Sequence, residues 1–175
     1  TVYLDTTYCE PKHVLCEQQR CVDFIANRIA AAMAEDSATG SRTLYLVATY
    51  TIGKEKVLQR IAEKCKCKIV VDARKLAILQ CLDLMPSEQL HATFTQDPTE
   101  SAVHQIGWGK LGEMAPGGWT FFPDFVLLHQ LIAELPGGYS RVCAFLPTGW
   151  AYQLERATKA LHAAGAPAPA PAKIM

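Results

Sequence analysis

The sequence predicts an α/β fold, a mainly parallel sheet flanked by helices, and two observations carry that prediction. Apolar, β-favouring runs alternate with segments of helical periodicity along most of the 175 residues, the pattern of strands joined by crossover helices. One run, Thr43–Tyr50 (Thr-Leu-Tyr-Leu-Val-Ala-Thr-Tyr), is apolar or β-favouring at nearly every position, as expected of a strand covered on both faces.

The elements follow in order. Val2–Leu4 reads as a buried strand that delivers Asp5 to the rim of a sheet. From Glu17 to about Ala34 the chain reads as a helix, with Val22, Ile25, Ile29 and Met33 on one face. The polar stretch Asp36–Ser41 contains Gly40 and reads as a turn before the strand Thr43–Tyr50. Gly53–Cys65 is an amphipathic helix with Val57, Leu58, Ile61 and Ala62 facing inward, and Lys68–Val71 is a short strand. Asp72 is placed to cap a helix running through Leu82. Leu90–Thr95 and Ala102–Ile106 read as further strands, and the glycine-rich Gly107–Gly118 as an irregular excursion. Pro123-Asp124 opens a helix to about Leu135, Gly137-Gly138 turns the chain, and Ser140–Leu146 is a last strand ending at Pro147-Thr148-Gly149-Trp150. Ala163–Ala172 is Ala/Pro low complexity, which builds no core and reads as a linker or insert.

Composition bounds the function. Hydrophobic residues are 50% and charged residues 19% of the chain, which suits one globular core. Lys+Arg and Asp+Glu are both 17, so bulk charge selects no partner. No apolar run approaches the roughly 20 residues of a membrane span, and nothing resembles a signal peptide, so no membrane partner is expected. The chain opens without an initiator Met and is expected to begin inside something larger. Seven irregularly spaced cysteines point to reduced, mostly buried thiols in a cytosolic or nuclear protein. Cys65-Lys66-Cys67 and the group Cys9, Cys16, Cys21 lack the paired knuckles of a structural zinc site.

Three strand ends are rich in hydroxyls and glycine: Asp5-Thr6-Thr7-Tyr8, Thr49-Tyr50-Thr51-Ile52-Gly53-Lys54 and Pro147-Thr148-Gly149-Trp150. In a parallel sheet the carboxyl ends of the strands share one edge, where ligands bind. The second of these turns also opens a helix, whose first N–H groups favour an anion, yet it lacks the spacing of a Walker A loop. Capped turns of no further function account for the same pattern. Residues 54–68 hold six Lys/Arg and two Glu, and Lys56, Arg60 and Lys64 recur every four residues. Such a stripe suits a phosphate backbone and equally a solvated helix face. No His-x-His-x-Asp-His, His-Glu-x-x-His or paired-carboxylate motif occurs, and His13, His91, His104, His129 and His162 are isolated. Nothing in these residues makes a complete metal or triad site.

Val2–Pro11 (Val-Tyr-Leu-Asp-Thr-Thr-Tyr-Cys-Glu-Pro) followed by Gln18-Gln19 resembles the DNA cross-link repair nucleases, the β-CASP branch of the metallo-β-lactamase superfamily that includes Artemis. The resemblance continues through Thr49–Val57, Leu79–Leu82 and Ala144–Trp150, in family order. It implies residues 1–11 as the terminal part of a metallo-β-lactamase domain, contributing one edge strand, and its junction. Residues 12–150 are then the β-CASP region, and 151–175 a helix-like segment with the disordered Ala/Pro tail. It also implies a nuclear DNA repair enzyme that cleaves DNA phosphodiesters, commonly 5′ to 3′, with zinc or a related divalent metal activating water.

On this resemblance Asp5 is the catalytic-site acid, at the edge of the metal and phosphate site. Thr7, Tyr8, Lys54, Lys56, Arg60, Thr148, Gly149 and Trp150 are its substrate-binding residues. The partners are DNA, as single strands or cross-linked ends, and the missing metallo-β-lactamase half. The main ligand motif and the β-CASP histidine after Pro-Thr-Gly-Trp are absent from the 175 residues, and Gly107–Thr120 departs from the family's shorter, apolar segment. The isolated chain is therefore expected to bind no catalytic metal and to cleave nothing. Two other readings are a non-catalytic DNA-binding or interaction module, and a phosphoryl-ligand-binding α/β domain unrelated to nucleases.

Overall fold

Five parallel strands form the frame of the protein, in the spatial order Phe94–Thr95, Ile69–Val70, Val103–Gly107, Thr43–Thr49, Arg141–Phe145. The structure is a computed structural model and describes residues 1–6, 9–11, 15–114 and 121–148. Its strands are β1 (Thr43–Thr49), β2 (Ile69–Val70), β3 (Phe94–Thr95), β4 (Val103–Gly107), β5 (Gly112–Met114), β6 (Phe121–Pro123) and β7 (Arg141–Phe145). Its helices are α1 (Gln18–Thr39), α2 (Glu55–Cys65), α3 (Ala73–Cys81), α4 (Ser87–Thr93) and α5 (Phe125–Glu134). The α/β class with a parallel sheet is as the alternation predicts.

β1 lies between β4 and β7 and is buried along its whole length. Because strand side chains alternate, it feeds two cores. Tyr45 and Val47 join Val22, Ile29, Leu58 and Ile61 under α1 and α2. Leu44, Leu46 and Ala48 join Ile106, Leu111 and Leu128 under α5. The inward face expected of α2 is the observed one, Val57, Leu58, Ile61 and Ala62. Burial of each large aliphatic side chain contributes about 1.5–3 kcal/mol. α2 and α5 thus cover opposite faces, and the chain leaves β1 and β4 toward opposite sides.

The predicted Asp72 cap forms, and Asp124, where a helix is expected to open, caps α5 in the same way. Asp72 accepts from the Lys75 N–H at 2.7 Å and Asp124 from the Leu127 N–H at 2.9 Å. Asp36 closes the opposite, amino-terminal edge of the sheet. Its carboxylate accepts from Thr43 Oγ1 (3.0 Å), Tyr45 OH (2.7 Å) and Arg141 (3.0 Å), tying α1 to β1 and β7. The expected turn over Asp36–Ser41 is corrected accordingly. α1 runs on through Thr39, and Gly40 in the left-handed region (φ 68°) ends it, its N–H donating to the Asp36 carbonyl.

Other expectations are corrected too. Val2–Leu4 is no strand: Val2, Tyr3 and Leu4 are 79–92% exposed, and neither edge strand of the sheet pairs with them. A strand without a partner leaves its backbone groups to water. Leu90–Thr95 is mostly the helix α4, which begins after Pro86, and only Phe94-Thr95 pairs with β2. Leu90 is buried at one helical position where a strand would have buried alternate residues. The excursion Gly107–Gly118 contains a 3-10 turn at Trp108–Lys110 and the strand β5, antiparallel to β6. Gly112 (φ 151°) makes that hairpin possible, since a Cβ there would meet the Phe122 carbonyl oxygen. The cysteines form no disulfide, but Cys9, Cys16, Cys21 and Cys81 are exposed and Cys65, Cys67 and Cys143 half-buried. Cys21 sits next to the buried Val22 in α1 and Cys81 two residues after the buried Leu79 in α3, both exposed. Thr7, Tyr8, Gly149, Trp150 and the whole of 151–175 with its Ala/Pro tail lie outside the described residues.

Burial alone would raise the Asp36 carboxyl, but the hydrogen bonds from Tyr45 and Thr43 and the charge of Arg141 outweigh it and hold the group below the usual carboxylate range. Its contribution is therefore complete above the unfolded carboxylate value of about 3.9 and fades as pH falls through the lower folded value. Asp36→Ala is expected to cost about 2–3 kcal/mol at pH 7. In urea unfolding the gap from the parent chain should narrow below about pH 4; a gap that does not change with pH would contradict this account.

Candidate nucleic-acid interface

The carboxyl ends of β1 and β4 lie side by side, Thr49 paired with Gly107. From this pair the chain departs to opposite faces, the kind of switch point where parallel α/β sheets bind ligands. Gln105 spans it from β4, its Nε2 donating to Thr49 Oγ1 at 3.0 Å. Its Oε1 is buried and, among the described residues, has no hydrogen-bond partner.

Above the pair lies an aromatic group. Tyr50 stacks on Trp108 with ring centroids 5.5 Å apart and planes 12° from parallel, and Trp108 meets Phe121 edge-on at 6.0 Å. Tyr50 is 50% exposed. The Lys54 ammonium stands 6.0 Å from the Tyr50 ring centroid, the outer limit of a cation–π contact. Burial lowers the Lys54 pKa from the ordinary lysine value.

The turn that presents these groups is held from below by Lys75. This lysine of α3 is only 3% exposed, and its Nζ donates to Glu55 Oε1 at 2.9 Å and to the carbonyls of Thr51 (3.1 Å) and Tyr50 (3.3 Å). Glu55 Oε1 also accepts the Gly53 N–H at 2.7 Å. Burial pushes the Glu55 carboxyl up, but Lys75 and the backbone N–H bonds outweigh it and hold it below its ordinary value. Gly53 (φ 108°) and Lys54 (φ 70°) both take positive φ. For Lys54 that conformation costs on the order of 1–2 kcal/mol, and it swings the side chain back over Tyr50. Strain of this kind gathers where surrounding contacts over-determine a functional turn.

The structure thus places Lys54 and Lys56 at the entrance of α2, Lys54 half-buried and Lys56 exposed. Arg60 is drawn sideways instead: its Nε donates to Asp23 of α1 at 2.6 Å and its Nη1 to Glu63 at 3.4 Å. The stripe Lys56, Arg60, Lys64 therefore has its middle charge answered by α1. Thr148 follows β7 at the same edge of the sheet and is half-buried. Asp5 lies in the exposed segment Thr1–Thr6, while Thr7, Tyr8, Gly149 and Trp150 are outside the described residues. Among the described residues no three His, Cys, Asp or Glu side chains form a cluster able to hold a metal. No helix among them is long and apolar enough to cross a membrane.

Sequence reasoning missed Tyr50, Trp108 and Lys75. Lys75 carried a signal, since it sits one helical turn before the buried Leu79, on the apolar side of α3. Trp108 carried another, a tryptophan between two glycines just after a strand.

No family model matches the chain. It is 44% identical over 156 residues to DNA ligase 6 of Arabidopsis thaliana, a match covering 89% of this chain and 10% of that protein. It is 30% identical to DNA cross-link repair 1A protein of Mus musculus, across 87% of this chain and 13% of that one. To DNA cross-link repair protein pso2/snm1 of Schizosaccharomyces pombe it is 31% identical, across 87% and 24%. The chain therefore spans between a tenth and a quarter of the length of these relatives.

Lys75→Met is expected to leave the Glu55 carboxylate buried beside an apolar neighbour and to cost about 3–5 kcal/mol. Adding Glu55→Gln should recover most of that stability. Urea unfolding of the parent, both single variants and the double variant checks this, and a double variant no more stable than Lys75→Met would count against the pair.

Proposed function

The chain belongs, over the segment it spans, to the family of the DNA cross-link repair proteins, and from that premise we propose that it forms part of a nuclear DNA repair nuclease. The enzyme hydrolyses DNA phosphodiesters as a 5′-to-3′ exonuclease in interstrand cross-link repair or end processing. Within it this segment is the β-CASP region, from residue 12 to 150, and its task is to hold the DNA strand. The observation that carries the reading is Lys54 standing over the Tyr50 ring where β1 passes into α2, with Lys56 exposed in the first turn of that helix.

These side chains suit a single strand in two ways. Lys54 and Lys56 supply cations for successive phosphates. Tyr50, braced from behind by Trp108, offers a half-exposed ring on which any base can stack once Lys54 swings out to a phosphate. Arg60 acts in this reading chiefly by fixing α2 against α1, with Thr148, and with Thr7, Tyr8, Gly149 and Trp150 outside the described residues, completing the binding surface. Zinc or a related divalent metal would be held by ligands outside these 175 residues and would supply an activated water. Asp5 would lie at the edge of that site, placed to orient a metal ligand or the water.

The purified 175-residue chain is expected to bind fluorescently labelled single-stranded DNA, more weakly as salt rises. Lys54→Glu with Lys56→Glu should weaken binding and reduce the salt slope by about 0.7 for each phosphate that is no longer neutralised. Tyr50→Ala should weaken it about 5- to 150-fold, the worth of one stacked base, with little change in the salt slope. Binding that ignores both changes would remove the interface from this surface. With added zinc or magnesium the isolated chain should cleave no DNA; turnover abolished by Asp5→Asn would defeat that expectation.

A further inference from the structure

The far end of α2 carries a second chemical feature that the DNA reading does not use. α2 ends at Cys65, and Lys66 takes the left-handed conformation (φ 52°) with its N–H donating to the Ala62 carbonyl. The Cys67 N–H reaches the same carbonyl at 3.3 Å. The chain reverses within one residue, which sets Cys67 back beside Cys65 at the end of α2. Both are half-buried and pack against the core under α2. Their surroundings differ. Cys67 lines an open pocket of about 510 Å³ together with Gln59, Lys66, Lys68, Met85 and Gln89. Cys65 is turned toward the backbone of α1, its sulfur 4.0 Å from the Ala26 carbonyl.

We propose that Cys65 and Cys67 form a peroxide-oxidisable dithiol, a reversible modification site in which Cys67 reacts with a small hydroperoxide entering the pocket and Cys65 resolves the product. In the first step the Cys67 thiolate attacks one peroxide oxygen. The O–O bond breaks, Cys67 becomes a sulfenic acid, and the departing alkoxide or hydroxide takes a proton to leave as alcohol or water. In the second step the Cys65 sulfur attacks the Cys67 sulfur. The S–O bond breaks, the hydroxide leaves as water with the Cys65 proton, and a disulfide remains. Two thiols are oxidised and one peroxide is reduced.

Position assigns the roles: Cys67 opens into the pocket, while Cys65 does not line it and faces α1. The neighbouring Cys65, aided by Ser101, outweighs burial and lowers the Cys67 thiol below its ordinary value, while Cys67 and burial raise Cys65. The thiol that opens into the pocket is thus the more readily ionised, and thiolate is the reactive form. Cys9, Cys16, Cys21 and Cys81 are more exposed, so accessibility alone predicts the opposite order of reaction.

The test is graded hydrogen peroxide on the full 175-residue chain, followed by differential alkylation and peptide mass spectrometry. Cys67 should be consumed about tenfold faster than Cys81, yielding a Cys65–Cys67 disulfide that dithiothreitol reverses. In Cys65→Ser the reaction should stop at a Cys67 sulfenic acid trapped by dimedone, and in Cys67→Ser residue Cys65 should stay reduced at the same dose. Consumption of Cys67 no faster than Cys81 would overturn the proposal, as would a disulfide from Cys67 to any cysteine other than Cys65. Both measurements can be made on the parent chain, so they stand even if a serine variant folds poorly.

Discussion

A buried ammonium at the end of a strand governs the surface from which function is read. β1 is covered on both faces, so when it ends at Thr49 its last carbonyls emerge over a core with little water. Lys75 meets the carbonyls of Tyr50 and Thr51 and brings a charge that itself requires an answer, which Glu55 supplies. Glu55 in turn takes the Gly53 N–H, setting the positive-φ pair Gly53-Lys54 that swings Lys54 over Tyr50. An ion pair of this kind adds little net stability compared with apolar residues of the same volume. What it provides is one conformation for the turn that carries Tyr50 and Lys54.

The two-sided burial of β1 explains why that turn lies where a ligand can reach it. Alternation divides the strand's side chains between two cores, each needing its own helical cover. α2 covers one and α5 the other, and the chain therefore splits at the carboxyl ends of β1 and β4. Trp108 belongs to the second half and Tyr50 to the first, so their stacking closes the fork. The aromatic surface is a consequence of how the cores are divided, and neither half would form it alone.

Legibility in the sequence follows the range of the physics involved. β1 and the inward face of α2 are readable because alternation and helical period are local. The Asp72 cap is readable because a carboxylate and an N–H three residues on are near neighbours. α4 reads wrongly as a strand because Leu90–Thr95 is apolar enough for either state, and its start after Pro86 is the better guide. Val2–Leu4 has a strand's composition, but a strand exists only with a partner, which no local pattern supplies. The interface is half legible. Lys54 and Lys56 stand out as charges, whereas Tyr50 passes for the end of a strand. Arg60 looks like their equal because the sequence does not show that Asp23, thirty-seven positions earlier, answers it.

The position of Glu55 bears on which anion this edge of the sheet suits. A helix start usually attracts phosphate through its unpaired N–H groups and dipole. Here a carboxylate in the first turn already takes the Gly53 N–H and places a negative charge at the helix entrance. A small phosphorylated ligand seeking that entrance meets both an occupied donor and like charge. Phosphates approached by Lys54 and Lys56 can instead stay farther out, at the reach of flexible side chains, while a base occupies the Tyr50 ring. Separate sites for charge and for stacking, a few ångströms apart, match a polymer that alternates phosphate and base. This favours a nucleic-acid strand over a single phosphoryl group, and it rests on the same buried pair that shapes the turn.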